Sequence, residues 1–341
     1  MSQEIPDGLQ AKRDQEARRA PLERAVERYA QRRLVRRLGA PGPPKSLRPA
    51  ARGVRSLVFL VDFEGFPRVV LRANDRWLRA ARLAHNFRSF ARLGLPVPEL
   101  LVAELSPLAR LRWGFYALVE RFQVGRHPDE APDREAATRA VARALASLHN
   151  VQRRRWGWPG LPRLGSYREH FLERVAERVG HVAKTLAPGQ DALLNAWFRE
   201  RAAAAPLDPP FALTHSRVNC GNFVVRPDGE ATLVDLIEAR YGTFCPDLVS
   251  ALDRICERDE GLMAAFLDEY FAQRPAGARG TFEAALPFFE ASRTLGRAAS
   301  YVRRVRRAQD AAEADAFRTR LARQVARLAE QTGLSLTLSK A

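Results

Sequence analysis

The residues best suited to chemistry lie on either side of a predicted β-hairpin in the second half of the chain. Residues 223–225 and 231–234 are apolar and rich in β-branched side chains, and a Pro-Asp-Gly turn stands between them. This hairpin would hold Asn222 at the entrance of one strand and Asp235 at the exit of the other. An amide oxygen and a carboxylate are ligands that a hard cation such as Mg²⁺ accepts. The pattern therefore predicts a magnesium site where these two residues meet.

The same stretch carries further polar residues at characteristic distances. His215 and Arg217 precede Asn222 in a loop that reads His-Ser-Arg-x-x-x-x-Asn, and Asp235-Leu236 and Asp247-Leu248 follow the hairpin. Residues 211–247 thereby resemble the catalytic core of the aminoglycoside phosphotransferase and choline kinase group. In that group the loop reads His-Gly-Asp-x-x-x-x-Asn, followed by a hairpin, an Asp-Phe or Asp-Leu pair and a second Asp-Leu pair.

The resemblance implies a role for each matching residue and two cofactors, ATP and Mg²⁺. Asn222 and Asp235 would hold the metal. Asp247 would accept the backbone N–H groups of the loop, and His215 would pack behind Asp235 as a structural residue.

Arg217 is the position at which the resemblance fails. The family has at this place the aspartate that accepts the proton of the substrate hydroxyl. The pKa of a guanidinium lies above about 12, so Arg217 is no general base at neutral pH. Two roles are open to it: stabilising the transferred phosphate, or forming an ion pair with Asp235 or Glu238.

Other positions that the resemblance assigns to the nucleotide lie earlier in the chain. Two β-rich runs between Val54 and Ala73 resemble the first hairpins of the family's N-lobe, and Arg72 matches the basic residue that faces the phosphates. Arginine can replace lysine there as a bidentate cation, although an exposed arginine at a strand end is the alternative. Glu120, Arg121 and Phe122 match the hinge whose backbone meets the adenine ring.

Two further features depart from the family pattern in this region. Gly53 is the only glycine directly before the first strand, so the loop that covers the phosphates is poor in glycine. The predicted helix over 76–93 should supply a glutamate to the basic residue, but no acidic residue stands between Asp75 and Glu99. The sequence therefore predicts that Arg72 lacks its usual partner.

The resemblance and the hydrophobic periodicity together predict an α+β, protein-kinase-like fold with a small β-rich N-lobe and a larger, mainly helical C-lobe. Residues 1–52 are expected to form a basic helix over 8–38 and a proline-rich linker, and residues 53–122 the N-lobe. The C-lobe is expected over 123–331, with a C-terminal tail over 332–341.

Composition bounds the class of protein. The chain of 341 residues is 46% apolar, which is typical of a globular protein. It contains no apolar run long enough for a transmembrane segment and no signal-peptide pattern, so we expect a cytoplasmic protein. Its three cysteines, Cys220, Cys245 and Cys256, do not have the spacing of a zinc site and are expected to be reduced and buried.

The positive charge is unevenly distributed. The net charge is +17, and residues 1–55 carry fourteen Lys or Arg against six Asp or Glu, which gives +8. Residues 8–38 could therefore contact an anionic surface, such as nucleic acid, a membrane or a phosphorylated partner. The alternative is a solvated helix in a chain that is rich in arginine throughout.

Three functions are compatible with these features. The first is a kinase-like protein that binds ATP and Mg²⁺ with impaired or rewired phosphoryl transfer, that is, a pseudokinase. The second is an active, divergent ATP-dependent phosphotransferase that acts on a small-molecule or envelope-sugar hydroxyl. The third is a non-catalytic adaptor that uses its basic N-terminal arm. The acceptor or protein partner is not predicted.

Overall fold

A computed structural model of the chain describes residues 21–50 and 57–339. The inferred start of the N-lobe at Gly53, the first part of the basic segment 8–38 and the last two residues of the tail lie outside this described part.

The N-lobe is an antiparallel sheet in the order β1-β2-β3-β5-β4, with helices before and between its strands. Its elements are α1 (residues 21–38), β1 (Ser46–Pro49), β2 (Leu57–Phe63), β3 (Phe66–Asn74), α2 (Trp77–Arg92), β4 (Leu100–Glu104), α3 (Pro107–Trp113) and β5 (Tyr116–Arg121). The two β-rich runs predicted before residue 74 form β2 and β3, and the turn between them places Gly65 at a φ of 63°. α3 was not predicted, because a helix of seven residues is too short to show a clear helical period.

Strand alternation explains the core of the N-lobe. Phe59, Val61 and Leu71 project to one face of the sheet and are fully buried against Val26 and Tyr29 of α1. Residues two apart in a strand share a face, so β2 and β3 each bury every second side chain. α1 is therefore part of the N-lobe core.

The polar side of α1 is also partly used within the fold. Arg33 and Arg37 each donate from Nε to Oε1 of the buried Glu104, at 2.8 and 2.9 Å. Two arginines of the basic segment that was predicted to face an anionic surface therefore bind a carboxylate of the sheet.

β1 occupies residues that were expected to form the proline-rich linker. Its residues pair with β2 in the register Ser46 with Asp62 and Pro49 with Phe59. Proline has no N–H to donate, and β1 tolerates Pro49 because it lies at the edge of the sheet. The N-lobe sheet therefore begins before the predicted boundary.

The C-lobe is mainly helical, as predicted. Its helices are α4 (Arg134–Asn150), α5 (Tyr167–Ala183), α6 (Gln190–Arg201), α7 (Cys245–Arg254), α8 (Glu260–Ala272), α9 (Ala278–Val305) and α10 (Ala311–Thr332). Its strands are β6 (Gln152–Arg153), β7 (Gly157–Trp158), β8 (Leu161–Pro162), β9 (Phe211–Thr214), β10 (Phe223–Val225), β11 (Ala231–Leu233) and β12 (Arg240–Gly242). β10 and β11 form the predicted hairpin.

A second antiparallel sheet, in the order β6-β9-β12-β7-β8, was not predicted as a sheet. Its strands are two to four residues long, which is too short for an alternating pattern to be recognised. The sheet brings the segment around Trp156 and Trp158 next to the strand that follows Asp235. It therefore forms one wall beside the predicted metal site.

The two lobes are joined through α2. Leu83, Phe87 and Phe90 of this helix are buried in the same hydrophobic cluster as the C-lobe helices. Asn86, which is fully buried, donates from Nδ2 to the backbone oxygen of Leu236 at 2.8 Å. The helix that lacks the expected glutamate thus contacts the segment directly after Asp235 through an amide.

The protein has the predicted α+β arrangement of a β-rich N-lobe and a mainly helical C-lobe. Cys220, Cys245 and Cys256 are buried and unpaired, as predicted. Among the described residues, no helix has the length and apolar character that crossing a membrane requires.

Candidate functional site

Asp247 fixes the loop that carries the candidate site. It lies in the first turn of α7, and its carboxylate accepts the backbone N–H of His215 at 2.6 Å and that of Ser216 at 2.9 Å. Ser216 has a φ of 65°, so the loop turns sharply at this point. Hydrogen bonds to an ionised carboxylate are stronger than neutral ones. Asp247 therefore anchors the loop through two of its backbone N–H groups.

His149, at the end of α4, binds Asp247 from the other side. Its Nε2 lies 3.2 Å from Asp247 Oδ2, and its Nδ1 lies 2.8 Å from the Tyr270 hydroxyl. Burial lowers the pKa of His149, and Asp247 opposes that shift only in part. A neutral imidazole that donates from Nε2 and accepts at Nδ1 satisfies both contacts.

His215 lies behind the metal-site strand, fully buried. Its Nε2 lies 2.9 Å from the backbone oxygen of Val234, and its ring packs on Phe223 at 5.7 Å between centroids. It thus holds the residue before Asp235 in place through its backbone oxygen.

Arg217 forms an ion pair with Asp235. Its Nη1 lies 3.1 Å from Asp235 Oδ2, and the two side chains are 42% and 28% exposed. Asp235 itself has a left-handed backbone, with φ 57° and ψ 52°. Of the roles left open by the sequence, this is the pairing with Asp235. A partly exposed pair with one contact stabilises by about 1 kcal/mol or less, so a ligand can displace it.

Asn222 holds the loop from inside. Its Nδ2 donates to the backbone oxygen of Arg217 at 2.7 Å, and its own backbone oxygen accepts from Val234 N at 2.9 Å. Asn219 adds a second amide to the same Arg217 oxygen at 2.9 Å. Because the amide nitrogen of Asn222 is engaged, its carbonyl oxygen is the atom left for a metal.

The donor set fits a magnesium ion that also binds phosphate. Asn222 and Asp235 flank the hairpin as predicted. Among the described residues, Arg217 donates a hydrogen bond to Oδ2 of Asp235 and not to Oδ1. In the described part of the chain, no three His, Cys, Asp or Glu side chains come together as a metal-binding group. Mg²⁺ is commonly held by one or two protein oxygens together with phosphates and water, which suits this sparse set.

Arg72 has a carboxylate partner, contrary to the expectation from the sequence. Glu120 Oε1 lies 2.7 Å from Arg72 Nη2 and 3.1 Å from Nε, and both side chains are largely buried. Burial opposes the charge of Arg72, but Glu120, and Asp235 at longer range, hold its pKa above the ordinary value. The alternative of an exposed strand-end arginine is therefore wrong.

The register of the sheet explains this ion pair. Val70 of β3 lies opposite Glu120 of β5, and Arg72 lies opposite Leu118. Residues offset by two across neighbouring strands share a face and are within reach of long side chains. The missing helix glutamate is thus replaced from the neighbouring strand. A signal was present in the sequence, since Glu120 is an acidic residue within an apolar run.

The hinge residues differ in detail from the prediction. The backbone N–H groups of Arg121 and Phe122 already donate to the oxygens of Glu99 and Arg68, at 2.9 and 3.2 Å. The Arg121 side chain also binds Glu99, at 2.7 Å. Donors for an adenine ring would therefore have to come from the residues that follow, beginning at Gln123.

Gly125 ties this hinge to the hairpin. Its φ is 157°, and a Cβ there would lie 2.2 Å from the backbone oxygen of Val225. Arg126 and Val225 exchange backbone hydrogen bonds of 2.9 and 2.8 Å. Only glycine permits this approach, so the hinge and the metal-site hairpin are held at a fixed distance.

Comparison with known proteins gives one family match. Residues 46–282 match the model of a family described as the phosphotransferase enzyme family. A search of curated proteins finds no match.

Solved structures with the same fold agree with this match. A putative aminoglycoside phosphotransferase from Ralstonia eutropha JMP134 aligns with a TM-score of 0.64 and 17% identity, over 93% of this chain and 99% of that chain. An aminoglycoside phosphotransferase in complex with ADP and hygromycin B has a TM-score of 0.62 and 16% identity, over 90% and 100%.

A choline/ethanolamine kinase family protein from Mesorhizobium loti is similar to the same extent, with a TM-score of 0.61 and 18% identity over 92% of this chain and 96% of that chain. These likenesses establish the kinase-like fold. The family match, which spans more than half of the 341 residues, goes further. The chain belongs to the phosphotransferase enzyme family.

Proposed function

We propose that this protein binds ATP with Mg²⁺ between its lobes and that its phosphoryl transfer is impaired, as in a pseudokinase. The observation that carries the proposal is the Arg217–Asp235 ion pair. It combines a missing general base with a neutralised metal ligand in a loop that is otherwise held in place.

The nucleotide half of the proposal is supported by what remains of the site. The buried Arg72 is held by Glu120, and the charge of Asp235 helps to raise its pKa. A cation and a candidate metal ligand therefore lie in one cleft. Asn222 and Asp235 would hold Mg²⁺, which when bound neutralises phosphate charge. One oxygen of Glu120, Oε2, is buried without a hydrogen-bond partner among the described residues, so a donor from a ligand or water fits there.

The impaired transfer follows from the charge at position 217. A guanidinium does not take a proton from an alcohol at neutral pH, and general-base catalysis contributes about two to four orders of magnitude in rate. Mg²⁺ must also compete with Arg217 for Asp235. The pair contributes about 1 kcal/mol or less, so the ion and nucleotide together can displace it, with weakened metal binding.

Nucleotide binding is tested by the thermal unfolding of the full chain with millimolar ATP, with and without Mg²⁺. We expect ATP to raise Tm in the wild type, and Asp235→Ala to reduce the Mg²⁺-dependent part of the shift. Asp315→Ala, which alters an exposed carboxylate on α10, is the matched control. No shift in the wild type would refute nucleotide binding.

An active phosphotransferase is the second candidate, and a specific observation favours it. The Arg72–Glu120 pair and the anchoring of the loop by Asp247 keep the phosphate-facing side of the site organised. Phosphoryl transfer depends mainly on positioning and charge neutralisation, and Arg217 would then stabilise the transferred group. Transfer of labelled γ-phosphate by the wild type that disappears in Asp235→Ala would favour this candidate over the pseudokinase.

A further inference from the structure

Four arginines are grouped beside the second sheet. We call this group the arginine wall and define it as Arg82 of α2, Arg163 after β8, Arg178 of α5 and Arg240 of β12. Arg82 and Arg240 lie over the ring of Trp158, Arg163 lies over that of Trp156, and Arg178 is near enough to Arg240 for the two charges to interact. In the part of the chain that the structure describes, Arg82, Arg163 and Arg178 have no carboxylate within ion-pair distance, and Arg240 has only Glu238, at 4.0 Å.

The wall begins directly beside the candidate site. Arg240 Nε donates to Ser216 Oγ at 3.1 Å, and Ser216 precedes Arg217 in the loop. The guanidinium carbon of Arg240 lies 5.2 Å from the ring centroid of Trp158, and that of Arg82 lies 3.7 Å from the same ring. Two cations therefore share one indole next to the loop that would face an acceptor.

Arg82 is an incompletely satisfied member of the wall. Its Nε is buried and has no hydrogen-bond partner among the described residues. Burial lowers the pKa of Arg82, and Arg240 acts in the same direction against Glu238. A buried guanidinium donor without an acceptor is unfavourable, and an anionic ligand would supply the acceptor.

Arg178 continues the wall on α5. Its Nη1 lies 3.5 Å from Ser292 Oγ, which is a weak contact, and its guanidinium packs against Gly296 of α9. Burial lowers the pKa of Arg178, and Arg174, Arg303 and Arg240 add to that shift while Glu177 opposes it. The charged side chains that influence Arg178 are thus mostly positive.

Aromatic residues complete the wall near Arg163. Its guanidinium carbon lies 5.3 Å from the ring centroid of Trp156, and His170 stacks on the same ring at 4.7 Å. Burial lowers the pKa of His170, and Arg163 is the next contributor. Flat apolar surfaces next to unpaired guanidinium groups suit a ring-shaped molecule that carries negative charge.

The nearby carboxylates do not neutralise the wall. Glu177 binds Arg174 at 2.8 Å and is half-exposed, and Glu173 is largely exposed at 4.0 Å from His170. Glu238 is shared between Arg240 and Arg82. A polycation would be repelled here, whereas carboxylate and phosphate match the geometry of the guanidinium group.

We propose that the arginine wall is the acceptor subsite and that it binds a small molecule carrying a carboxylate or phosphate group. The inference rests on the proposed function only in assuming that the acceptor or its mimic enters this cleft. It assigns a ligand class opposite in charge to an aminoglycoside.

The test is calorimetric titration of the full chain with four probes: glucose 6-phosphate, glucuronate, glucose and kanamycin. We expect at least one of the two anions to bind at least tenfold more tightly than glucose, and kanamycin not to bind. The comparison of the phosphate with the carboxylate shows which anion the wall accepts. The proposal would be overturned if kanamycin or glucose bound as tightly as both anions. It would also be overturned if neither anion bound at about 10 mM, which is tenfold above a Kd of about 1 mM.

Variants locate the binding. Arg178→Gln and Arg82→Gln should each weaken anion binding by about tenfold or more, since hydrogen bonds to charged groups are the strong ones. Arg199→Gln, on the exposed side of α6, is the matched control and should leave it unchanged. If the folded variants bind the anions as the wild type does, the proposal is wrong. The use of two arginines on different helices guards against one variant that does not fold.

Nucleotide binding is measured in the same variants with a fluorescent ATP analogue. Anion binding that depends on Arg178, in a protein that binds no ATP, would support the arginine wall and refute the proposed function. ATP binding without arginine-dependent anion binding would support the proposed function and refute the arginine wall.

Discussion

At the scale of single residues, the candidate site is governed by the charge at position 217. Arg217 Nη1 lies 3.1 Å from Asp235 Oδ2, and both side chains are partly exposed, so the ion pair is weak. The residues around it are held more firmly, because Asp247 accepts two backbone N–H groups and Asn222 binds the Arg217 oxygen. A substitution at 217 should therefore change the chemistry of the site with little effect on its shape.

Arg217→Asp should increase the Mg²⁺ dependence of ATP binding. The substitution removes the cation that competes for Asp235 and adds a carboxylate beside it, so the ratio of ATP affinities with and without Mg²⁺ should rise by about tenfold or more. Calorimetric titration of ATP with and without Mg²⁺ measures this ratio. Arg199→Asp is the control for a change of charge elsewhere, and an unchanged ratio in Arg217→Asp would show that Asp235 does not bind the metal.

Asp247→Asn should destabilise the protein. The substitution removes the charge that accepts the N–H groups of His215 and Ser216 and that binds His149. Charge-assisted hydrogen bonds are worth about 1.5 to 3 kcal/mol each, so we expect a loss of about 2 to 4 kcal/mol. Urea unfolding followed by circular dichroism measures the change, and a loss below about 0.5 kcal/mol would contradict the anchoring role.

The protonation of His149 predicts how stability depends on pH. Its pKa is lowered in the folded state, so below the ordinary value of about 6.5 the unfolded chain binds more protons. Stability should therefore fall as the pH falls from 7 to 5, by up to about 1.4 kcal/mol per pH unit for this group. The slope should be smaller in His149→Gln, where His170 still contributes, and an equal slope would contradict the buried neutral state.

At the scale of elements, the hinge and the hairpin form one unit. Gly125 approaches Val225 so closely that a Cβ would lie 2.2 Å from its oxygen, and Arg126 and Val225 are joined by backbone hydrogen bonds. The position of Asn222 and Asp235 relative to the N-lobe therefore depends on this contact.

Gly125→Ala should disturb this unit more than a glycine substitution at the hairpin tip. We expect a loss of about 2 to 4 kcal/mol, because the backbone must shift to admit the methyl group. Gly229→Ala is the matched control: its φ is 80° but a Cβ there meets no atom within 4 Å, so only about 1 kcal/mol of backbone strain applies. Equal losses in the two variants, measured by urea unfolding, would contradict the close approach.

The elements also show what the sequence could and could not predict. The mainly helical C-lobe and the Pro-Asp-Gly hairpin are predictable because long periodic segments such as α4 and α9, and the turn itself, each carry a local signal. The Arg72–Glu120 pair was not, because it depends on the register between β3 and β5. The short strands of the second sheet are stabilised by their neighbours, which local patterns do not reveal.

At the scale of the whole molecule, one loop motif predicted both the fold and the family, because the spacing of its residues around a hairpin and a helix matches the family pattern. The sequence leaves the partner of Arg217 open, since Asp235 and Glu238 both follow the hairpin and only the fold decides which carboxylate Arg217 reaches. The arginine wall was not predicted either, because its members come from α2, α5, β12 and the segment after β8. Its arginines converge only when the lobes are folded together.

The buried thiols provide a measure of the stability of the whole fold. Burial raises the pKa of Cys220 to about 11 and those of Cys245 and Cys256 to about 12. All three should therefore react with a thiol reagent at pH 8 only as fast as the protein opens, far below the rate in urea. A rapid reaction of any of the three in the native protein would contradict this account.

The central claim is that a nucleotide-binding kinase-like cleft carries an arginine where transfer requires a base. Release of labelled phosphate from γ-labelled ATP, measured for the wild type, Arg217→Asp and Asp235→Ala at saturating Mg²⁺, tests it most directly. We predict that the wild type binds ATP with turnover near background, and that Arg217→Asp, which restores the carboxylate, is about 10² to 10⁴ times faster. Wild-type turnover that is abolished by Asp235→Ala and not increased by Arg217→Asp would contradict the claim.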